Sequence, residues 1–473
     1  MIADNCDSSI KQVLRKTGRP EKRKTVKLED CKTGRLQNRK PGDRTERWHA
    51  GEQRLLMDKK RMLDALRKEL VPAVGCTEPI MIAYEAAKAA SVLGQTPERA
   101  DLSVSCNVFK NAMGVGIPGT EKAGLDMAAA MGIFGGDSGK VLEVLSGVTD
   151  EECRKAQKFV EDGCVKVSIA KTDKKLYAEI RVYAKDQTAS VLIEDNHTSI
   201  TKITKNGKVV FSQSGCTEVS EQESEETWTI TDIVSFVEEA GEEDLSFFDR
   251  CIDLNMKIAK EGLSHDYGLR VGKNYINTNR DSVMMRAAGM AAAAADARMS
   301  GCMLPVMTVC GSGNQGITAT VPVIVAAESL HADRLHLLRA LALSCLVTMH
   351  VKFYIGKLSP LCGCGMGSSI GVCCAIVYLE GGSLSQIRGA AQNMIADVSG
   401  IICDGAKAGC ALKIGTVVLS AFQCASLALN DSDADSRNGI VKDDVEQSIR
   451  NLGILGKNGM RDTDQVILDM MIG

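Results

Sequence analysis

The sequence predicts an α+β N-terminal domain built on an antiparallel sheet, followed by a mostly α-helical C-terminal domain. Three observations carry that expectation. The runs "VKVSIAK", "LYAEIRVYAK", "TASVLIED" and "HTSITKITKNGKVVF" follow one another between residues 165 and 211. They alternate apolar and polar residues with the period of two that suits a half-buried strand. Inside the last run, "KNGK" is a two-residue hairpin signal, because Asn and Gly tolerate the positive φ angles such a turn needs. From Thr229 onward the pattern turns almost wholly helical: "MMRAAGMAAAAADARMSG" offers small residues where a neighbour can approach closely, and "NGIVKDDVEQSIRNLGILG" is amphipathic at helical spacing.

The remaining elements follow in order. From Met57 a helix places Met62, Leu63, Leu66 and Leu70 on one face. After "VPAVGCTEP" comes a second helix, "IMIAYEAAKAASVLG", closed by Gly94. Residues 100–118 read as a strand and then a glycine loop, and "AGLDMAAAMGIFGG" and "DEECRKAQKFVEDG" as helices. The domains expected are thus 57–213 (α+β) and 229–473 (helical), joined by a polar, acidic linker at 214–228. Residues 1–56 stand apart, with 15 Lys and Arg against 8 Asp and Glu and no apolar periodicity. They read as a disordered basic tail or as an artefact of start-site choice.

Composition narrows the function. The 473 residues carry a formal charge of -3, are 44% hydrophobic and include 18 cysteines. Near-neutral charge argues against nucleic-acid binding, which depends on neutralising phosphates. The N-terminus is polar, without the apolar core of a signal peptide. A cytoplasmic location is therefore expected, with the cysteines serving burial, catalysis or metal binding rather than disulfides. Apolar stretches such as "GTVVLSAFQCASLAL" read as shorter than the ~18 uninterrupted residues of a membrane span, so no membrane partner is expected. A small-residue helical half suggests a homodimer.

Candidate chemistry gathers in four places. Cys302, Cys345, Cys373, Cys374 and Cys424 sit among apolar helical neighbours and read as buried small hydrophobes. Cys362, Cys403 and Cys410 differ, each beside a glycine or aspartate at a helix break: "SPLCGCG", "GIICDG", "KAGCAL". Thiolates on loops can converge on a metal, and backbone N–H groups there can tune it. Their spacing is neither that of a ferredoxin nor that of a structural zinc site. Cys76 in "VGCTEP" lies just before a helix, with Thr77 as N-cap. A helix N-terminus lowers a thiol pKa, and Glu78 opposes that. "TVCGSGNQGI" is a loop rich in backbone donors suited to a carboxylate or phosphate, with Ser312, Asn314 and Gln315 as candidate substrate ligands beside Thr77 and Glu78. It lacks the Lys-Ser/Thr pair of a P-loop. His350, Lys352 and Lys357 lead into the cysteine loop, and His265 is a further candidate base.

Together "LVPAVGCTEP", "CGSGNQGI", "GKLSPLCGCG" and "GIICDGAKAGCALKI" resemble the L-cysteine desulfidase family, related to the bacterial iron–sulfur L-serine dehydratases. The resemblance covers nearly everything from Met57 on. It implies a [4Fe–4S] cluster held by Cys362, Cys403 and Cys410, with Cys364 competing with Cys362. It implies Cys76 as the catalytic cysteine and β-elimination from a small amino acid, giving pyruvate, ammonia and, from L-cysteine, hydrogen sulfide. Two departures stand out. The related dehydratases carry a histidine where this chain has "GCTEP". Some offer a cysteine from the C-terminal tail to the fourth iron, whereas the last cysteine here is Cys424. L-serine dehydration with the same cofactor, a non-catalytic iron–sulfur or redox sensor, and a zinc-stabilised scaffold are the alternatives.

Overall fold

The helix expected from Met57 runs over 58–69 (α1) and buries Met62, Leu63 and Leu66. Its partners are apolar residues of the helical half, such as Ile233 and Phe248, so α1 joins the helical core and not the sheet. The computed structural model describes residues 58–120, 122–213, 228–356 and 358–473. The basic segment, nearly all of the linker expected at 214–228, and Lys357 lie outside the described residues. Residues from Met57 on form one compact unit.

A two-residue strand, β1 (Pro72–Ala73), pairs antiparallel with β8 (Val306–Met307). Between these strands in sequence lie α2 (Thr77–Leu93), β2 (Arg99–Val104), α3 (Cys106–Ala112), α4 (Leu125–Gly135), α5 (Asp150–Glu161), β3 (Val165–Ile169), β4 (Tyr177–Ala184), β5 (Gln187–Glu194), β6 (Ile200–Lys205) and β7 (Lys208–Ser212). They are followed by α6 (Ile230–Glu239), α7 (Glu242–Leu245), α8 (Phe248–Ser264), α9 (Val271–Thr278) and α10 (Val283–Met299). Strands β2 to β7 form a six-stranded sheet of order β3-β2-β4-β5-β6-β7. Every pair is antiparallel except β2–β3, whose parallel pairing is allowed by the long crossover through α3, α4 and α5. The hairpin at "KNGK" joins β6 to β7, with Asn206 at φ 52° and Gly207 at φ 76°. One expectation fails here. Residues 106–112 are helix α3 and not loop, started by Ser105, whose hydroxyl accepts from the Val108 N–H at 3.4 Å. Seven residues give too little periodicity to show against the glycines that follow.

The C-terminal half continues with α11 (Gly313–Ser329), α12 (Arg334–Ile355), α13 (Ser369–Leu379), α14 (Leu384–Val398), α15 (Gly409–Leu429), α16 (Val445–Ile454) and α17 (Thr463–Ile472). A wide π-helical turn, Cys364–Ser368, leads into α13. The alanine-rich α10 packs against α8, α9, α11 and α15. Its small side chains let backbones meet: a Cβ on Gly262 of α8 would lie 2.0 Å from the Ala293 carbonyl oxygen, and one on Gly272 of α9 2.4 Å from that of Gly289. Two helices, α12 and α15, are long and apolar enough to cross a membrane by length and composition, which corrects the reading of "GTVVLSAFQCASLAL" as too short. Helix α12 is 78% buried within the protein, as a core helix is, whereas α15 is 44% buried.

Gly262→Val should lower the stability of the protein by about 1–3 kcal/mol, the usual cost of overpacking a tight contact. Chemical denaturation of the two proteins side by side measures it.

A candidate active site where two cysteine loops meet the start of α2

The pairing of β1 with β8 sets the first geometry, because it brings the turn before α2 beside the loop before α11. Gly75 makes that turn at φ 76°, where a Cβ would also strike the Pro118 ring at 2.4 Å. Cys76 is then the N-cap of α2, not Thr77 as expected from sequence. Thr77 is the first helical residue, and its hydroxyl donates to Glu78 Oε2 at 3.2 Å. The Cys76 thiol donates to the same oxygen at 3.3 Å. The other oxygen, Oε1, accepts from Asn111 Nδ2 of α3 at 3.0 Å and faces His197 Nε2 at 3.9 Å.

These contacts overturn one expectation. Burial, and after it the charge of Glu78, push the Cys76 thiol up and not down, against a lowering by Arg298. A helix N-terminus is worth about 0.3–1 kcal/mol, less than one pKa unit of 1.36 kcal/mol. Full burial of a charge moves a pKa by several units, so burial prevails and Cys76 rests as a thiol. Burial acts to raise Glu78 as well, but the His197 ring, 3.9 Å from Oε1, and the hydrogen bond from Cys76 outweigh it and hold the carboxyl at about 2.

The α11 loop lies alongside. Ser312, expected to bind substrate, caps α11 by accepting from the Gln315 N–H at 3.5 Å. Asn314 is also occupied: its oxygen accepts from Arg298 Nη1 at 2.9 Å and its nitrogen faces the Met299 sulfur at 3.4 Å. Gln315 is different. Its buried Oε1 finds no hydrogen-bond partner among the described residues, and a Cβ on Gly363 of the cysteine loop would sit 3.0 Å from it. Arg298, 2% exposed, donates Nη2 to the Gly75 carbonyl at 2.6 Å. It enters no ion pair among those described, so a buried positive charge stands next to Cys76.

The cysteine loops are joined backbone to backbone. Leu361 and Ile402 form an antiparallel bridge. The Cys362 N–H donates to the Ile401 carbonyl at 2.9 Å, and the Cys403 N–H to the Pro360 carbonyl at 2.6 Å. Cys410 follows in the first turn of α15 and packs, with Ala406, against a small buried cluster of Cys76, Val115 and Met299. A hydrogen bond with Cys364 draws the Cys362 thiol down, against burial. Burial and then the charge of Cys362 raise Cys403, and burial raises Cys410 to about 11. Lysines surround the sulfurs. Lys352 is buried and feels Cys310, Cys364, Cys403 and Cys362. Lys413 and Lys407 pair with Asp404, and Lys110 donates to the Cys403 carbonyl at 2.9 Å and pairs with Asp464 of α17 at 2.5 Å. Cys302, Cys345, Cys373, Cys374 and Cys424 are buried in the helical core, as expected. Of the other candidates, His350 is buried against Glu446 at 2.7 Å and His265 is an exposed partner of Glu261 at 2.9 Å. Neither faces Cys76.

No set of three His, Cys, Asp or Glu side chains among the described residues converges on a single metal ion. A cubane cluster asks for something else: one cysteine per iron, the sulfurs spread around it. Two bridged loops carrying Cys362, Cys403 and Cys410, with lysines to offset negative charge, suit that donor pattern.

A family model described as "Serine dehydratase alpha chain" matches residues 139–469. The chain belongs to the serine dehydratase alpha-chain family. Membership makes it a serine-dehydratase-like lyase. Among curated relatives, a UPF0597 protein of Oleidesulfovibrio alaskensis is 43% identical over 419 residues, covering 87% of this chain and 97% of its own. One of Clostridium perfringens is 42% identical over 417 residues, with the same coverage, and one of Bacteroides fragilis is 40% identical over 422 residues, covering 88% and 98%. The matched stretch of the serine dehydratase model includes Arg298, α11 and both cysteine loops, whereas Cys76, Glu78 and Asn111 lie ahead of it.

Sequence reasoning missed four residues of this serine dehydratase relative's site: Lys110, Asn111, His197 and Arg298. Arg298 had one available signal, as a cation ending an alanine helix. The other three show nothing in the sequence that marks them. Gly405, at φ 93°, lets the Cys403–Cys410 loop pass α3, where a Cβ would lie 2.2 Å from the Lys110 carbonyl oxygen. Gly405→Ala should cost about 1–3 kcal/mol in backbone strain and displace the loop. Chemical denaturation beside wild type measures the loss, while circular dichroism stays helical.

Proposed function

We propose that this lyase carries out β-elimination on L-cysteine, giving pyruvate, ammonia and hydrogen sulfide, with a [4Fe–4S] cluster held by Cys362, Cys403 and Cys410. The observation that carries the proposal is the packing of Cys76 against Cys410, on the loop bridged to that of Cys362, with Glu78 and Arg298 beside it. Cys362 is preferred to Cys364 because its own backbone N–H joins its loop to that of Cys403, at the Ile401 carbonyl. When bound, such a cluster supplies a Lewis-acidic iron that polarises the substrate.

The protein's own groups do the rest. Arg298 places positive charge beside Cys76, where it would offset a substrate carboxylate. The N-terminus of α11 adds orphan backbone donors. Gln315 Oε1 is a spare acceptor for the substrate ammonium. Ser312 and Asn314 hold this wall in place and do not bind directly. The Cys76 sulfur receives the α-proton as it gives up the proton it already holds. Sulfide leaves, and 2-aminoacrylate hydrolyses to pyruvate and ammonia in water. A cytoplasmic setting belongs to the same proposal and is consistent with the buried course of α12.

L-serine is the second reading, favoured by the description of the family model. The test is anaerobic reconstitution with iron and sulfide, then L-cysteine and L-serine in separate assays for pyruvate and sulfide. Equal sulfide and pyruvate from cysteine, with little pyruvate from serine, supports the desulfidase. Pyruvate from serine alone refutes it in favour of a dehydratase. Cys76→Ser is expected to keep cluster absorbance and lose turnover by about 10²–10⁴-fold, the usual worth of a proton-transfer group. Cys403→Ala is expected to lose the absorbance itself, and a full complement of iron in that variant would refute the ligand assignment.

A further inference from the structure

We infer that Glu78 and His197 carry the substrate's proton away from Cys76, as a relay from the buried sulfur toward solvent. The inference rests on the β-elimination reading above and gives Glu78 a task other than gripping substrate.

The geometry gives three reasons. The two oxygens of Glu78 face different groups: Oε2 takes the Cys76 and Thr77 protons, and Oε1 faces Asn111 and His197. With both oxygens engaged, little of the carboxylate is left for a substrate ammonium. Exposure also rises along the series: Cys76 is 5% exposed, the Glu78 side chain 11% and the His197 side chain 19%. Finally, His197 Nε2 is a buried atom with no hydrogen-bond partner among the described residues. It points at Oε1 from 3.9 Å, a gap that a small rotation of the ring or one water closes. The ring arrives from the turn between β5 and β6, 119 positions after Glu78 in the chain. The other charged groups around the trio are Arg298 on the Cys76 side, and Cys403 with the Lys110 ammonium beyond it.

The steps balance. The substrate Cα–H bond breaks, and its proton forms a new bond to the Cys76 sulfur. The proton the thiol already held passes to Glu78 Oε2, and its S–H electron pair stays on sulfur. The protonated carboxyl then turns so that this same proton faces His197, whose Nε2 takes it while Nδ1 gives a proton to water or to the departing sulfide. Glu78 and Cys76 end as they began, a carboxylate and a thiol. The hydrogen bond from Cys76 to Glu78 lets the sulfur gain one proton as it gives another.

The test compares wild type with Glu78→Gln, His197→Gln and His197→Ala, and with His265→Gln as an exposed-histidine control, all reconstituted anaerobically and assayed across pH. Cluster absorbance and melting temperature confirm that each variant is intact. The relay expects Glu78→Gln to lose about 10²–10⁴-fold in kcat with KM nearly unchanged. His197→Gln should lose about 10²-fold in kcat and change the shape of the pH–rate profile. Added imidazole should restore part of the rate of His197→Ala, which a merely structural histidine would not allow. Wild-type turnover together with a Glu78→Gln variant altered only in KM, or a His197→Gln variant with wild-type kcat and pH profile, overturns the relay alone. Absence of wild-type turnover on both L-cysteine and L-serine overturns the function and the relay with it.

Discussion

Everything at the site depends on how closely helices can approach α10. With methyl groups or hydrogens on most of its surface, this helix lets α8 and α9 touch its backbone, at Gly262 against Ala293 and Gly272 against Gly289. The dispersion gained there comes from backbone atoms, in a core with few aromatic rings. The consequence is positional. Helix α10 ends at Arg298 and Met299, and those two residues tie the Cys76 turn to the start of α11 through Gly75 and Asn314. A bulkier helix would move that end outward and separate the two motifs that the chain brings from residues 75 and 314.

The site is a polar enclosure inside an apolar protein, and its charges are arranged in balance. Glu78 is opposed by His197 and Asn111; the sulfurs are opposed by Lys352, Lys413 and Lys110. Arg298 is the exception, a buried guanidinium with neutral acceptors. Buried charges are usually paired, and this one, beside the Cys76 thiol, meets only neutral acceptors among the described residues. This arrangement also explains why Cys76 stays protonated. The local field of Glu78 and the low dielectric work together against the thiolate, and the weak pull of a helix terminus does not compensate.

Much of the fold was legible in the sequence because its signals are local. The β6–β7 turn follows from Asn206 and Gly207, the buried cysteines of α12, α13 and α15 follow from their apolar neighbours, and the helical half follows from periodicity. Helix α3 was not legible, being seven residues long between a strand and a run of glycines. The site divides in the same way. Cys76, Glu78, Gln315 and the three loop cysteines announce themselves by sitting in glycine-bordered motifs. His197 and Lys110 sit in ordinary surface-like sequence, and only the sheet and the crossover bring them to Glu78 and Cys403. The pKa of Cys76 was misjudged from sequence because burial is a property of the whole fold, whereas the helix start is visible in six letters.

The Lys110–Asp464 pair joins residues 354 positions apart. A ribosome must therefore finish almost the whole of the described chain before this ammonium meets its carboxylate. Until then α3 lacks the partner that seats it on the Cys403 carbonyl, and the wall holding Asn111 against Glu78 is incomplete. Closing so long a loop comes late in folding, after the local helices and hairpins have formed. The nascent protein thus keeps its cysteine loops apart from a finished site until Asp464 has been made and has reached Lys110.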